Sequence, residues 1–420
     1  PLMAVVICII AGVPMFGKNA DGAEIGWLTT VFEAGTVRMG SAIMATIFGA
    51  WLGPLMKKTG VTENIIKKSA ELGGDRPIIT IVLLSVVTAF IFTAMMGAGP
   101  VIAIGVIVLP ILMSLGIPKA IAMFTFMGSV SAGMYLNPVL QFSQLRAFIC
   151  ASDEMPEFTF SWYTSHWGIY ALIISVVVVS VLTGIYLKIG KKSHAWAAQA
   201  APKNTQTDAP LIALILPIVP VVLKIWLDFS VIGGFVIAGF AALFLCGKMN
   251  KSFKENCQLV NKLYYDGVVD TAPLVGFLLT LPMFNTCASY ASPYFKEVLG
   301  GIMPTNEYVV CALFAALSIL GFFRGPLTLY GCGAATLGVL SSVGHFSVPF
   351  LFCVFTIPAT TVNVGSCITQ SWIAWGLAYT KVESRDYLKL SIPFAYICSI
   401  LLYILTAFTV TGLGPEWFLS

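Results

Sequence analysis

Two regions of the chain show the same order of apolar and polar positions. Residues 77–150 begin with a long apolar stretch that breaks at Met96–Pro100, and a second segment follows in which Ser, Asn, Gly and Pro interrupt the apolar pattern. Residues 306–379 repeat this order, with the break at Arg324–Pro326. Paired, interrupted apolar segments in the two halves of a chain are typical of the binding site of a secondary transporter. We therefore interpret the two regions as copies of one element.

Each copy is expected to hold a re-entrant hairpin and an interrupted transmembrane helix. The hairpins cover 77–116 and 306–345, and the interrupted helices cover 120–150 and 349–379. Backbone that leaves the helix at membrane depth must line a cavity or be buried in protein, because lipid cannot satisfy its hydrogen bonds. Stretches of about 20 apolar residues are long enough to cross the bilayer. They predict further spans near 38–56, 165–187, 209–227, 230–247, 267–285 and 389–412.

The Lys and Arg residues predict the orientation of these spans. Most of them fall on one predicted side, which the positive-inside rule makes cytoplasmic, whereas the opposite loop Asp153–Glu157 is acidic. The first hairpin then opens from the cytoplasm and the second from outside, so the two repeats are inverted, and the C-terminus lies outside. The side that carries the cations includes Lys57, Lys58, Lys67, Lys68, Lys119, Lys191, Lys192, Lys262 and Arg385.

The expected fold is an all-α polytopic membrane protein in two parts. The first inverted repeat covers 1–187, a cytoplasmic linker covers 188–208, and the second inverted repeat covers 209–420. Two spans open the second repeat, but only residues 1–14 precede the corresponding connector in the first. Symmetry therefore predicts a further helix ahead of Pro1. We expect a multi-pass protein of a bacterial inner (plasma) membrane.

Composition agrees with a membrane protein and excludes other classes. Hydrophobic residues make up 58% of the chain and charged residues 10%, whereas soluble domains carry about 25% charged residues. The cations flank the spans, so no nucleic-acid partner is expected. The ten cysteines form no C-x-x-C pair and the three histidines are scattered, so we expect neither a metal site nor a cofactor. An enzyme is not expected, because no acid/base or metal-ligand cluster falls within a span.

Hydroxyl, amide and glycine positions at the breaks are the candidate binding residues. No Asp or Glu falls in the apolar interior of the hairpins or interrupted helices, so an acceptor-poor site that suits an anion is expected. Unpaired N–H groups at half-helix N-termini favour a carboxylate. Alternatively, the hydroxyls bond neighbouring carbonyls and the glycines allow close helix packing. The candidates are Gly97, Gly99, Ser129, Ser131, Asn137, Gly325, Thr360, Thr361, Asn363 and Ser366.

Arg324 is the one cation at a predicted hairpin tip. A charged side chain at the centre of a membrane helix costs about 2.5–3.5 kcal/mol on insertion scales and is usually functional. Its guanidinium can hold a carboxylate with two hydrogen bonds. If the tip lies near the membrane surface, Arg324 instead extends to the interface. Glu33, Asp270 and His345 could carry a coupling proton, or they could be ordinary interfacial charges.

The chain resembles the ion transporter superfamily, nearest to its gluconate, citrate and dicarboxylate permeases. The resemblance lies in the helix order, in the segments Gly49–Gly53 and Lys57–Gly60, and in Asn363–Ala378. It implies a homodimer in which 77–150 and 306–379 move against a scaffold. The Ser-Asn-Thr sequence of the sodium-coupled dicarboxylate branch is missing from both hairpin tips, which favours proton over sodium coupling.

The sequence therefore predicts a secondary active transporter for a small organic anion, such as a carboxylate or a sugar acid. Alternating access would be driven by a proton or another cation, such as sodium. Two alternatives stay open. One is an anion channel or uniporter with the same pore, and the other is the membrane subunit of a carrier that depends on a substrate-binding protein.

Overall fold

The computed structural model describes residues 2–17, 26–34, 37, 39–73, 77–150, 157–189, 209–299, 304–343 and 346–412. Over these residues the regular structure is helical and no β-strand occurs, which confirms the all-α fold. The inverted relation of the repeats and the repeat boundaries stay predictions. His345, most of the 188–208 linker and the acidic loop up to residue 156 lie outside the described residues.

Eight helices occur among the described residues of the first half of the chain. A short wide-turn segment, Leu28–Ala34, lies between the first two of them. The break in the first predicted hairpin falls at Thr93–Gly97, between α4 and α5, and the break in the interrupted helix falls at Tyr135–Asn137, between α6 and α7. The helices are α1 (Leu2–Ile10), α2 (Gly40–Thr59), α3 (Val61–Gly73), α4 (Pro77–Phe92), α5 (Ala98–Ser114), α6 (Lys119–Met134), α7 (Pro138–Ser143 continuing into Gln144–Ile149) and α8 (Phe160–Lys188).

The part of the second half that the structure describes contains eight further helices. The second predicted hairpin bends by 64° between α12 and a 3₁₀ segment, Ser318–Arg324, and a loop leads from there into α13. Its interrupted helix breaks at Cys367–Gln370, between α14 and α15. The helices are α9 (Leu211–Leu227), α10 (Val231–Leu245), α11 (Phe253–Leu299), α12 (Glu307–Ala316), α13 (Gly333–Val343), α14 (Val348–Val364), α15 (Ser371–Thr380) and α16 (Ser384–Thr409).

Helix lengths fit a membrane protein whose helices are interrupted. By length and composition, α8 and α16 can each cross a membrane, and the bent pair of α12 with Ser318–Arg324 is a third candidate among the described residues. The other apolar helices, including α5 and α10, are 10–17 residues long. Short apolar helices are expected where a span is broken or a hairpin returns to its own side.

Several helix starts follow from polar residues that accept backbone N–H groups. Asn137 begins α7, since its Oδ1 accepts from Val139 N at 3.1 Å and Leu140 N at 2.9 Å, and Pro138 follows at the position where proline is favoured. Ser252 and Glu255 begin α11 as a reciprocal capping pair. The hydrogen bond from the Ser252 hydroxyl also lowers the pKa of the Glu255 carboxyl.

Two serines that were expected to interrupt α6 lie inside a regular helix. Ser129 and Ser131 are part of Lys119–Met134, and the Ser129 hydroxyl donates to the Thr125 carbonyl one turn earlier, at 2.7 Å. A serine that bonds this carbonyl is compatible with an intact helix, so the break waits for Asn137 and Pro138. In the second half, Thr360, Thr361 and Asn363 fall in a wide π-type turn, Pro358–Val364, which ends α14.

Candidate functional site

The two interrupted helices cross in the interior of the molecule, where α6 contacts the wide turn of α14 and α7 contacts the part of α14 that precedes this turn. We call this contact the junction, formed by Ser131, Tyr135, Gln141, Thr356, Thr360 and Thr361. The Ser131 hydroxyl donates to the Thr360 carbonyl at 3.3 Å, and the hydroxyls of Tyr135 and Thr361 are hydrogen-bonded. All six residues have 0% exposed surface. Wide turns of this type occur frequently at functional sites.

Three oxygen atoms at the junction have no hydrogen-bond partner among the described residues: Gln141 Oε1, Thr356 Oγ1 and Thr360 Oγ1. The other end of the Gln141 amide donates from Nε2 to the Thr356 carbonyl at 3.4 Å, which brings α7 against α14. A buried polar atom without a partner costs about 1–3 kcal/mol. Two hydroxyls and one amide oxygen can together donate to and accept from a bound ligand.

A second polar group connects the hairpin loop to the break in the second interrupted helix. Asn363 Nδ2 donates to Thr328 Oγ1 at 3.4 Å, and Gln370 Nε2 donates to Asn363 Oδ1 at 2.8 Å. Thr328 belongs to the loop that follows Arg324, whereas Asn363 lies three residues beyond Thr360. The contact therefore holds the hairpin loop close to the junction.

Arg324 lies at the start of this loop. It is half-buried, and its Nη1 donates to the Tyr330 carbonyl at 3.0 Å. Its backbone φ of 59°, and that of 53° at Phe323, are left-handed conformations. The loop returns so closely that a Cβ on Gly331 would lie 2.6 Å from the Arg324 carbonyl carbon. Arg324 thus contributes a positive charge and also helps to hold the hairpin loop together.

Tyr330 joins the second hairpin loop to the first interrupted helix. Its hydroxyl donates to the Leu140 carbonyl at 2.7 Å and lies 3.2 Å from Gln144 Oε1. Gln144 Nε2 in turn donates to Thr46 Oγ1 on α2 at 2.7 Å. The loop that carries Arg324 is therefore connected to α7, one residue before Gln141.

Three further predicted binding residues also have their hydrogen bonds satisfied within the protein. Asn137 Nδ2 donates to the carbonyls of Phe92 and Met95, both at 3.3 Å, so it ties the end of α4 to the start of α7. The Ser366 hydroxyl donates to the Thr361 carbonyl at 3.0 Å, and Ser129 bonds its own helix. The structure thus brings together Ser131, Thr360 and Thr361, and the segment that ends at Arg324 contacts the wide turn that carries Thr360, Thr361 and Asn363.

Gly97 and Gly99 lie at a separate place, where a carboxylate reaches them. Asp270 on α11 accepts a hydrogen bond from Gly99 N to its Oδ2 at 2.9 Å. This contact corrects the expectation that no carboxylate lies at a hairpin. That expectation considered only acidic residues within the hairpin sequences, whereas α11 passes beside the tip from a distant part of the chain.

A cavity of about 510 Å³ opens beside this contact. It lies between the end of α2, the start of α5 and the first third of α11. Glu33, also a candidate for coupling, is exposed on the Leu28–Ala34 segment instead. The charged residues that line the cavity are Lys57, Lys58, Lys262, Asp266 and Asp270.

The sequence did not predict that Thr356, Tyr135 and Gln141 contribute to the junction. Gln141 and Gln370 occupy matching positions at the ends of the two copies, and this match could have identified both glutamines as candidates. Tyr135 lies at the break itself and Thr356 two residues before the wide turn that begins at Pro358, but both stand in otherwise apolar sequence. Only the crossing of α7 with α14 brings them to the polar group.

The fold has a similar counterpart among solved structures. The crystal structure of the Alcanivorax borkumensis YdaH transporter, described as having an unusual topology, matches with a TM-score of 0.58 at 13% sequence identity, over 97% of this chain and 98% of that chain. The likeness shows a common fold. No protein-family model matches the chain, and no curated protein matches it either.

Proposed function

We propose that the protein is a secondary active transporter that binds a small organic anion at the junction and carries it across the membrane by alternating access. The observation that carries the proposal is the set of three buried oxygens without partners where the two interrupted helices cross. The fold is shared with a solved transporter, which supports a transport function in general. Membership of the ion transporter superfamily is part of the same proposal.

The donors and acceptors at the junction suit a carboxylic acid that also carries a hydroxyl group. The hydroxyls of Thr356 and Thr360 can donate to carboxylate oxygens, whereas Gln141 Oε1 can only accept, from a ligand hydroxyl. Arg324, at the end of the segment that contacts the wide turn of α14, would offset the negative charge of the ligand. A hydroxy acid or sugar acid meets all three requirements, whereas a simple cation leaves the hydroxyl protons without acceptors.

Complete burial favours a carrier over an open channel. Ser131, Thr360, Thr361 and Asn363 have no exposed surface, so in this conformation a ligand at the junction would be closed off from solvent. The resemblance to the superfamily implies that 77–150 and 306–379 move against the other helices within a homodimer. Coupling to a proton or sodium gradient would make the transport concentrative.

Uptake into proteoliposomes tests the proposal. Purified protein is reconstituted and offered radiolabelled gluconate, citrate, C4-dicarboxylates and lactate under imposed proton and then sodium gradients. Accumulation of one acid above equilibrium under one gradient is the expected result. Flux that never exceeds equilibrium would contradict active transport and indicate a channel or uniporter. No flux of any acid, even after addition of candidate substrate-binding proteins, would contradict the proposal as a whole.

A further inference from the structure

The geometry points to Asp270 as a proton-binding site whose protonation releases the tip of the first hairpin from α11. Asp270 lies away from the junction. Its role in coupling, which would make the proton the coupling ion, rests on the proposed function. The contact itself can be tested without any transport measurement.

The contact joins a carboxylate to the N-terminal end of α5. Gly99 N donates to Asp270 Oδ2 at 2.9 Å, and Gly99 is in the first turn of the helix, where N–H groups have no partner within the helix. An ionised carboxylate at this position gains both a charge-assisted hydrogen bond and the attraction of the helix dipole. A neutral carboxyl group loses most of this stabilisation, so the contact weakens when Asp270 binds a proton.

The hairpin tip is shaped for this approach. A Cβ at Gly99 would lie 2.7 Å from Asp270 Cγ and 2.9 Å from its Oδ1, so any other residue would push the carboxylate away. Gly97 precedes it with a φ of 96°, a conformation that other residues rarely adopt. Two glycines therefore allow α11 to lie against the tip, which explains these positions without substrate contact.

Solvent and protons can reach Asp270 through the 510 Å³ cavity that it lines. Lys57 and Lys58 of α2 face this cavity, as do Lys262 and Asp266 of α11 itself, while α5 contributes only Gly99 and Ala103. The lysines belong to the side that the sequence predicts to be cytoplasmic. Protonation from that side would act on the hairpin that is predicted to open there.

The position of the contact suits a coupling role. Gly99 belongs to the region proposed to move, 77–150, whereas Asp270 belongs to the helices proposed to stay still. A charge-assisted hydrogen bond across this boundary must break before the two parts can move relative to each other. Binding of a proton by Asp270 removes this constraint, which links the movement of the hairpin to the proton gradient.

Hydrogen exchange at the hairpin tip tests the contact directly. Full-length protein in detergent or nanodiscs is compared with Asp270→Asn, which resembles the protonated state, and with Asp266→Asn as a matched control. Asp266 lies one turn earlier on α11 and lines the same cavity, so this control removes the same charge without touching Gly99. We expect amides in peptides that cover 97–101 to exchange about tenfold faster in Asp270→Asn and at the wild-type rate in Asp266→Asn.

The pH dependence gives the second readout. After correction for intrinsic exchange rates, the wild-type tip should become less protected as the pH falls, and Asp270→Asn should show the same reduced protection at every pH. If Asp270→Asn does not fold, Gly99→Ala breaks the same contact by steric overlap with the carboxylate intact and should also exchange faster. Equal protection of the tip in wild type and the folded variant, or protection that does not change with pH, would overturn the inference.

The transport arm separates this inference from the proposed function. In proteoliposomes that accumulate an acid under a proton gradient, Asp270→Asn should lose accumulation but retain exchange of labelled for unlabelled acid, and Asp266→Asn should keep both. Accumulation by Asp270→Asn at the wild-type level would overturn the coupling role and leave the transport function standing. If wild-type protein moves no acid, the proposed function fails, and hydrogen exchange alone decides whether Asp270 holds the tip.

Discussion

The Ser131 hydroxyl and the Thr360 carbonyl are joined by a hydrogen bond of 3.3 Å across a separation of 229 residues. The predicted copies 77–150 and 306–379 are offset by the same number of residues, so the two partners occupy matching positions in the two copies. When a two-fold axis relates two elements, a residue can contact its own counterpart only near that axis. The junction thus lies where the predicted pseudo-two-fold axis of the repeats would pass.

Close packing at this point predicts that Gly365→Ala destabilises the protein. A Cβ at Gly365 would lie 2.6 Å from Ser131 Cβ and 2.8 Å from its Oγ, and both helices are buried, so one of them must shift. Overpacking of this kind typically costs about 1–3 kcal/mol. A thermal-shift assay in detergent should show a lower melting temperature for Gly365→Ala.

Gly376→Ala is the matched control for this substitution. Its new Cβ would meet the ends of Met127 and Met123, at 2.8 and 3.0 Å from their Cε atoms, and methionine side chains can move aside. Adding Ser131→Gly to Gly365→Ala should recover part of the lost stability, because it removes the atoms in the way. Equal melting temperatures for Gly365→Ala and Gly376→Ala would contradict the close approach of the two helices.

Removal of the buried Thr356 hydroxyl, which has no hydrogen-bond partner among the described residues, should lower the affinity for the ligand without lowering the stability of the protein. Thr356→Val keeps the side-chain shape and removes a hydroxyl that forms no hydrogen bond, so the free energy of unfolding should stay the same or rise. If this hydroxyl donates to the anion, affinity should fall about tenfold. Gln141→Leu should also lower affinity, but it removes the hydrogen bond from Gln141 Nε2 to the Thr356 carbonyl as well, so its stability should fall. Melting temperature and equilibrium binding of the acid identified by uptake are the two measurements.

Ser85→Ala is the control for this pair of effects. Ser85 Oγ on α4 is also buried without a partner among the described residues, but Ser85 is not part of the junction. Ser85→Ala should likewise leave the free energy of unfolding unchanged or raised. The affinity for the acid should stay the same. A loss of stability in Thr356→Val without a loss of affinity would make Thr356 a structural residue and remove it from the binding site.

Local sequence accounts for the break at Asn137 but not for the distant residues that contact the breaks. Asn137 followed by Pro138 ends one half-helix and caps the next through backbone N–H groups two and three residues away, so this break depends on neighbouring residues alone. Gln141 meets Thr356 across 215 residues and Gly99 meets Asp270 across 171. Such contacts depend on how the helices cross, which the apolar pattern of each helix leaves undetermined.

Arg324→Gln tests the positive charge at the hairpin loop. Glutamine removes the charge, and its amide ends two bonds short of Arg324 Nη1, which donates to the Tyr330 carbonyl at 3.0 Å, so this hydrogen bond within the loop is lost as well. We expect affinity for the acid to fall at least about tenfold, since charge-assisted hydrogen bonds are the stronger kind, with a modestly lower melting temperature.

Arg146→Gln provides the comparison for Arg324→Gln. Arg146 lines a separate cavity of about 300 Å³ together with Phe158 and Lys224, and the same charge is removed there. Affinity should be unaffected in this variant. Retained affinity in Arg324→Gln would exclude Arg324 from the binding site, and equal losses in both variants would indicate a long-range effect of net charge.

The cavity beside Asp270 predicts that the lysines lining it can be reached from one and the same side of the membrane. Lys58 and Lys262 line the same cavity, so Lys58→Cys and Lys262→Cys should react with a membrane-impermeant maleimide from the same side. The sequence predicts that this side is the cytoplasm, and that Asp228→Cys, at the exposed end of α9, reacts from outside.

The exposed native residues Cys257 and Cys332 are first replaced by serine, and labelling of intact cells is compared with labelling of inverted vesicles. Reaction of Lys58→Cys and Lys262→Cys from different sides would contradict the cavity itself. Reaction of both from outside would reverse the orientation, and the proton that reaches Asp270 would then come from the external medium.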